Sequence, residues 1–299
     1  MTIEKTVAKG FRRLAAILLC ALTGLSPLHA KDAATLKARH EALRNSLVDN
    51  PFKRPLHLES SEAAETLNGD IYARIDQAFP VAGPALQELN HWCDILILHL
   101  NVKACRSSYS TVGQQLHIHV GRKHDQPLAD THLIDFRFKV VASTPDYLQI
   151  VLDAAQGPLG TRDYRILLEV VALDATHSFL HLSYSYAYGL TARTALRGYL
   201  ATLGRDKIGF SIVDRNTGGE PEHVAGVRGL IERNTMRYYL AVEAYLDTLS
   251  APASSRVERR LSAWHAGIER YPAQLHELER AEYLDMKRKE LARQNNPRS

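Results

Sequence analysis

Residues 222–249, EHVAGVRGLIERNTMRYYLAVEAYLDTL, decide the fold. Val224, Val227, Ile231, Tyr238, Val242, Tyr245 and Leu249 recur at offsets near 3.6 residues, which predicts one long helix with an apolar stripe. Arg228, Glu232, Arg233 and Glu243 mostly fall off that stripe. Such a helix needs an apolar surface to lie on, and the residues before it supply one.

Upstream, apolar residues alternate with polar ones at a period of two, the pattern of strands with one buried face. Ile71, Ala73 and Ile75 form the first set. Leu98, Leu100, Val102 and Ala104 form the next, alternating with His99, Asn101, Lys103 and Cys105. Leu116 to Val120 follows, and then Ile134, Phe136, Phe138 and Val140, alternating with Asp135, Arg137 and Lys139. Tyr147 to Leu152, Tyr164 to Val171 and Ser178 to Tyr188 complete the series. Turn-rich stretches near 107–113, 143–146, 156–158 and 174–176 separate these runs, so the six after the first predict an antiparallel meander. Between the first strand and the meander, Phe79 to Trp92 reads as two short helices broken near Gly83-Pro84.

The flanks differ. Lys5, Lys9, Arg12 and Arg13 precede an apolar run from Leu14 to Leu25, then Pro27 and Leu28-His29-Ala30. That is the order of a secretory signal with cleavage after Ala30. The run is shorter than the roughly 20 residues of a membrane span. An uncleaved anchor is the alternative. Lipidation at Cys20 would want a small residue where Leu19 stands. The leader holds four of the 37 Lys/Arg and one of the 33 Asp/Glu, so the remainder has 33 basic and 32 acidic residues. This balance shows no basic footprint for nucleic acid. Export to the periplasm implies an oxidising compartment, where Cys93 and Cys105 would pair; two buried free thiols are the other reading.

Residues 31–65 read as an N-terminal extension, with a helix on Ala33, Leu36, Leu43 and Leu47 that His40 interrupts. Thr191–Leu203 predicts a helix and Ile208–Val213 a short strand. After a linker at 250–255, Ser255-Arg256-Val257-Glu258 matches a capping box for a helix to about Arg270. Pro272 permits a second helix through Leu275, Leu278, Ala281, Leu284 and Leu291, and Asn295–Ser299 should be disordered. The division is therefore 1–30 leader, 31–65 extension, 66–249 main domain and 250–299 helical tail.

A strand, two small helices (ending in Trp92-Cys93-Asp94-Ile95-Leu96), six antiparallel strands and a long helix make a specific order. It resembles the START-like helix-grip superfamily, which includes polyketide cyclase-type and pollen-allergen-type proteins. The resemblance covers about residues 66–249. It implies an α+β fold: a curved antiparallel sheet of about seven strands around a long C-terminal helix, here with helical extensions. The 191–213 insertion and the tail depart from the minimal pattern. The resemblance also implies a gap between sheet and helix that takes an apolar ligand. Phe136, Phe138, Tyr164, Ile166, Tyr184, Tyr186, Tyr238 and Tyr245 would form its wall, with ordinary core packing as the plainer reading of each.

Other candidates are weaker. His117 and His119 share one strand face and His99 lies on a probable neighbour, but no carboxylate completes a zinc set, so no metal is expected. Tyr184, Tyr186 and Tyr188 share a face, near Tyr147 and Tyr164, and suit either an aromatic ligand wall or cross-strand packing. Asp135, Arg137 and Glu169 should point outward; Arg228 and Arg237 would meet either a ligand head group or solvent. No phosphate loop, G-x-S-x-G elbow or H-E-x-x-H helix is present in the sequence. Three functions follow as expectations, none needing a cofactor. The first is periplasmic binding or transfer of a hydrophobic small molecule or lipid. The second is cyclase or isomerase catalysis on the same fold. The third is a protein interaction through helices 255–294.

Overall fold

The alternation at residues 66–75 is realised residue by residue: Leu67, Gly69, Ile71, Ala73 and Ile75 are buried, with more exposed neighbours between them. This computed structural model describes residues 28–295, apart from Val112, Asn216 and several positions between 190 and 203. The helix expected at 191–203 and the tail end at 296–299 fall largely outside the described residues.

Eight strands form one antiparallel sheet in the order β1-β2-β8-β7-β6-β5-β4-β3. They are β1 (Leu56–Glu62), β2 (Thr66–Ile75), β3 (Val102–Ser110), β4 (Gly113–Val120), β5 (His132–Ser143), β6 (Tyr147–Gln156), β7 (Thr161–Ala172) and β8 (Ser178–Tyr188). Strands β3 to β8 are the predicted meander, each paired with the next. The sheet has one strand more than the pattern suggested. β1 lies in the stretch read as an extension and pairs with β2, Leu58 opposite Ile71. Another expectation is corrected at 98–101. Leu98 and Leu100 belong to the turn after α4, not to a strand, and β3 begins only at Val102.

Helices α3 (Phe79–Gln87) and α4 (Leu89–Leu96) fill the link between β2 and β3. Pro84 sits within α3 rather than dividing two helices. The long helix α5 (Gly226–Asp247) lies across the concave face against β2, β1 and β8. Its approach needs Gly69, because a Cβ there would stand 2.4 Å from Thr235 Oγ1. The other face of α5 is sealed, against the solvated or ligand-facing reading of Arg237. Glu232, Arg233 and Arg237 are each at most 1% exposed. Glu232 accepts hydrogen bonds from the Phe210 and Ser211 amides and from Ser60 Oγ, and Arg233 donates to the Ile208 carbonyl. Residues 208–211 thus run as a loop over α5; the short strand there, β9 (Ile212–Arg215), starts later and pairs with β10 (Pro221–His223).

The tail folds back on this body. Helix α6 (Ala253–Ile268) begins after Pro252, ahead of the predicted capping box, and Ser255 Oγ donates to the Pro252 carbonyl instead of capping an amide. The predicted last helix divides into α7 (Pro272–Leu275) and α8 (Arg280–Asn295). Trp264 donates to the Arg237 carbonyl and stacks on Tyr283, whose hydroxyl donates to the Leu98 carbonyl. On the convex face, α1 (Leu28–Ala42) and α2 (Arg44–Val48) bury Ala33, Leu36, Leu43 and Leu47 against Tyr147, Val171 and Phe179. His40 fits that face edge-on to Phe179, 4.8 Å between ring centroids.

Cys93 and Cys105 form a disulfide that ties α4 to β3 across 12 residues. Replacing both with serine should lower stability by about 3 kcal/mol through the freed loop. Urea denaturation of the purified protein with and without reductant checks this. A midpoint indifferent to both reductant and substitution would exclude a structural role for the bond.

Candidate functional site

Helix α5 packs on β2, β1 and β8, and a cavity of about 420 Å³ lies beside it against β4, β5 and β7. Its apolar wall includes Leu96, Val102, Ile118, Ile134, Phe136 and Ile166. Tyr164, Tyr184 and Tyr238 add aromatic faces with hydroxyls. Arg122, Gln126 and Asp130 line it from the segment after β4, and Leu159 from the β6–β7 turn. Leu159 is 62% exposed and has a left-handed φ of 58°, so an apolar side chain stands in water beside the opening.

A bent antiparallel sheet packs around one long helix, with two short helices between β2 and β3. The fold is a START-like helix grip. The helix grip here has an added edge strand, β1, and a tail packed on its flank.

No family model matches the chain, and no curated protein matches it. Among solved structures it is similar to the Zhui aromatase/cyclase from Streptomyces, with 11% identity and a TM-score of 0.39 over 68% of this chain and 96% of that one. A START superfamily protein from Mycobacterium smegmatis shows 12% identity and a TM-score of 0.30, over 50% and 92% of the two chains. Norcoclaurine synthase from Thalictrum flavum, as a point mutant, shows 12% identity and a TM-score of 0.33, over 48% and 93%. None of them lends its chemistry to this cavity.

Of the residues singled out in the sequence, Phe136, Tyr164, Ile166, Tyr184 and Tyr238 line the cavity together. Phe138, Tyr186 and Tyr245 stand away from it. Phe138 packs edge-on to Trp92, and Tyr186 stacks against Tyr164 at 5.3 Å. Tyr245 lies under Arg260, whose guanidinium carbon is 4.4 Å from the ring centroid. Burial pushes the hydroxyls of Tyr164, Tyr184 and Tyr238 to higher pKa, so they are neutral donors and acceptors at pH 7.

In the sequence His99 reads as a metal candidate or, by default, as a solvent-facing or hydrogen-bonded histidine. It sits in the tight turn after α4, 3% exposed, and lines the cavity with its ring stacked on Tyr238 at 4.8 Å. The Asn101 amide donates to His99 Nδ1 at 3.1 Å, which puts the proton of the neutral ring on Nε2. Nε2 is buried and has no hydrogen-bond partner among the described residues. Burial, and then the positive charges of Arg237, Lys287, Lys123 and Lys103, hold the imidazole pKa well below its ordinary value. The one signal in the sequence was a lone histidine inside the apolar run Ile95 to Leu100.

The three histidines do not converge: His117 and His119 point outward from β4, and no metal-ligand cluster occurs among the described residues. His117 instead accepts Ser108 Oγ at Nε2, 2.9 Å, and sits 2.6 Å from Asp135 at Nδ1. This has the connectivity of a serine–histidine–carboxylate relay. It lies on the outer sheet face, away from the cavity.

Asp135, Arg137 and Glu169 all point outward, as expected. Arg137 pairs with Asp153. Glu169, however, is not solvated. It lies beneath α1, 2.7 Å from His181 Nδ1, while Asp70 is 2.9 Å from Nε2. Arg237 meets neither ligand nor solvent and pairs with Glu277; Arg228 donates to Ser60.

Proposed function

We propose that this chain binds a small hydrophobic molecule in the helix-grip cavity, as an exported carrier or binding protein. The cavity itself carries the reading. Its size falls within the range of small-molecule sites, and its wall joins an aliphatic and aromatic part to polar groups that include His99, Asn101, Arg122 and Asn234. Burial of the ligand's apolar surface would supply the affinity, at about 25 cal/mol per Å². The basic and apolar leader, and the disulfide, support export through a cleaved signal; N-terminal sequencing of the exported protein should then begin at Lys31.

His99 also gives the catalytic alternative its one specific support, a titratable ring in the pocket with a shifted pKa. A neutral imidazole would polarise a carbonyl, but a cyclisation or isomerisation also needs a group to take up a proton. Asp130 and His132 also line the cavity, but among the described residues no hydrogen bond links either to His99 or to a lining tyrosine. Binding is therefore the better-supported activity.

Filling the cavity tests it. Ile134→Phe combined with Ile166→Phe should weaken binding of the neutral dye N-phenyl-naphthylamine at least tenfold, at a stability cost of about 1–3 kcal/mol per site. Fluorescence titration and thermal melting read the two effects separately. Equal dye binding by wild type and variant, or none by wild type, would overturn the cavity as a binding site.

A further inference from the structure

We infer that the cavity selects an amphipathic acid, seating its carboxylate oxygen on His99 Nε2 and its hydrocarbon body against Ile134, Phe136 and Ile166. This deepens the binding reading above and rests on it. Three observations converge.

The first is the orphaned donor. A buried N–H without a partner carries a desolvation penalty, which an incoming acceptor oxygen relieves. His99 cannot turn to satisfy itself, because Nδ1 holds the Asn101 amide and the ring is stacked on Tyr238. Its proton therefore stays on the one nitrogen that has nothing to bond.

The second is charge. Glu277 takes Lys123, Lys207 and Arg237, and Glu290 takes Lys103 and Lys287. Cations outnumber those two carboxylates, and four of the five act on His99. Lys287 and Lys103 are fully buried, where water screens their field least. Lys287 also anchors the turn itself, donating to the His99 and Val102 carbonyls. The same field that keeps His99 neutral favours an anion and disfavours a cation next to it.

The third is the shape of the lining. Ile118, Ile134, Phe136 and Ile166 give the cavity one apolar part, while Asn101, Arg122, Gln126, Asp130 and Asn234 keep another part polar, so the site suits a molecule with an apolar body and a polar end. A doubly charged or wholly polar ligand would leave charge against Ile134 and Ile166.

One tail with three head groups tests this: dodecanoate, methyl dodecanoate and dodecylammonium, each measured by displacement of bound N-phenyl-naphthylamine at pH 7.5. Wild type should prefer the acid to the ester at least tenfold, and the ester to the ammonium. His99→Phe keeps the stacking on Tyr238 and removes the donor. It should cost dodecanoate at least tenfold and leave the ester within about threefold. Equal binding of acid and ester by wild type, or an acid preference untouched by His99→Phe, overturns the inference while the cavity reading stands. If neither dye nor any of the three ligands binds wild type, both fall. Should His99→Phe fail to fold, the carboxyl ¹³C resonance of labelled dodecanoate bound to wild type decides. A carboxyl pKa below that of the free acid supports the inference, and an unchanged or raised one overturns it.

Discussion

Glu290→Ala is expected to destabilise the folded protein by about 3–5 kcal/mol, the usual cost of breaking a buried ion pair from one side. Each Glu290 oxygen accepts one ammonium, Lys103 at 2.8 Å and Lys287 at 2.8 Å, and all three side chains are 0% exposed. Without the carboxylate, Lys287 retains the His99 and Val102 carbonyls, whereas Lys103 retains only Met286 Sδ at 3.5 Å. Burial already pulls the Lys287 pKa down to about 8 in spite of Glu290. A lysine depressed in the folded state costs stability fully below that value, and the cost is relieved as pH rises above it. The deficit of Glu290→Ala should therefore shrink between pH 7 and pH 9.5 in urea denaturation. Replacing Lys103, Lys287 and Glu290 together with methionine should recover much of the loss. A deficit under 1 kcal/mol at pH 7 would mean that water reaches these lysines.

The second large effect belongs to the convex face. His181 stacks on Tyr72 at 4.3 Å and is held between Asp70 and Glu169, and Tyr147 donates to Glu169 at 2.5 Å. Burial opposes protonation of His181, but the bonds and charges of the two carboxylates outweigh it and raise its pKa to about 8. Against an unfolded value of about 6.5, this contributes roughly 2 kcal/mol. The contribution is full below about 6.5 and is lost as pH rises through 8. On the acid side, Glu169 is opposed by burial but held below its ordinary pKa by His181 and Tyr147, so its contribution disappears as pH falls through the carboxylate range. His181→Phe keeps the stack on Tyr72 yet leaves two carboxylates without their cation, and should cost about 3–5 kcal/mol near pH 6. Melting curves of wild type and variant from pH 5 to 9 check this; Lys287 acts in the opposite sense above pH 8, so the difference between the two proteins is the quantity to follow. A difference that does not narrow between pH 6.5 and 8.5 would exclude His181 as the titrating group.

The framework was legible where one sheet face is buried and the other is not. β2, β5 and β7 alternate cleanly, and the stripe on α5 was visible. β1 was missed because its apolar signal is only Leu56 and Leu58, between Pro55 and a polar Ser60-Ser61. Elements covered on both sides misled most. Val102, Lys103, Ala104 and Cys105 are all buried, since α4 packs on one side of β3 and α8 on the other. Arg237 read as solvated or ligand-facing because a period of 3.6 reveals an apolar face but not a polar face sealed by later chain. Likewise the tyrosines were visible as a set, whereas the importance of His99 was not. It depends on which ring nitrogen the Asn101 amide occupies, and that is a property of the turn alone.

The packing of α8 has a further consequence. β3 is the last strand of the sheet on its side, with no ninth strand beyond it among the described residues. The Cys105 amide donates to Gln294 Oε1, and Lys103 is sealed by Glu290. The end of the chain therefore blunts a border that would otherwise offer unpaired backbone to a neighbouring molecule. A chain cut short before residue 280 would lose more than helix–helix packing: it would bare a sticky seam, and it would gather with its own copies.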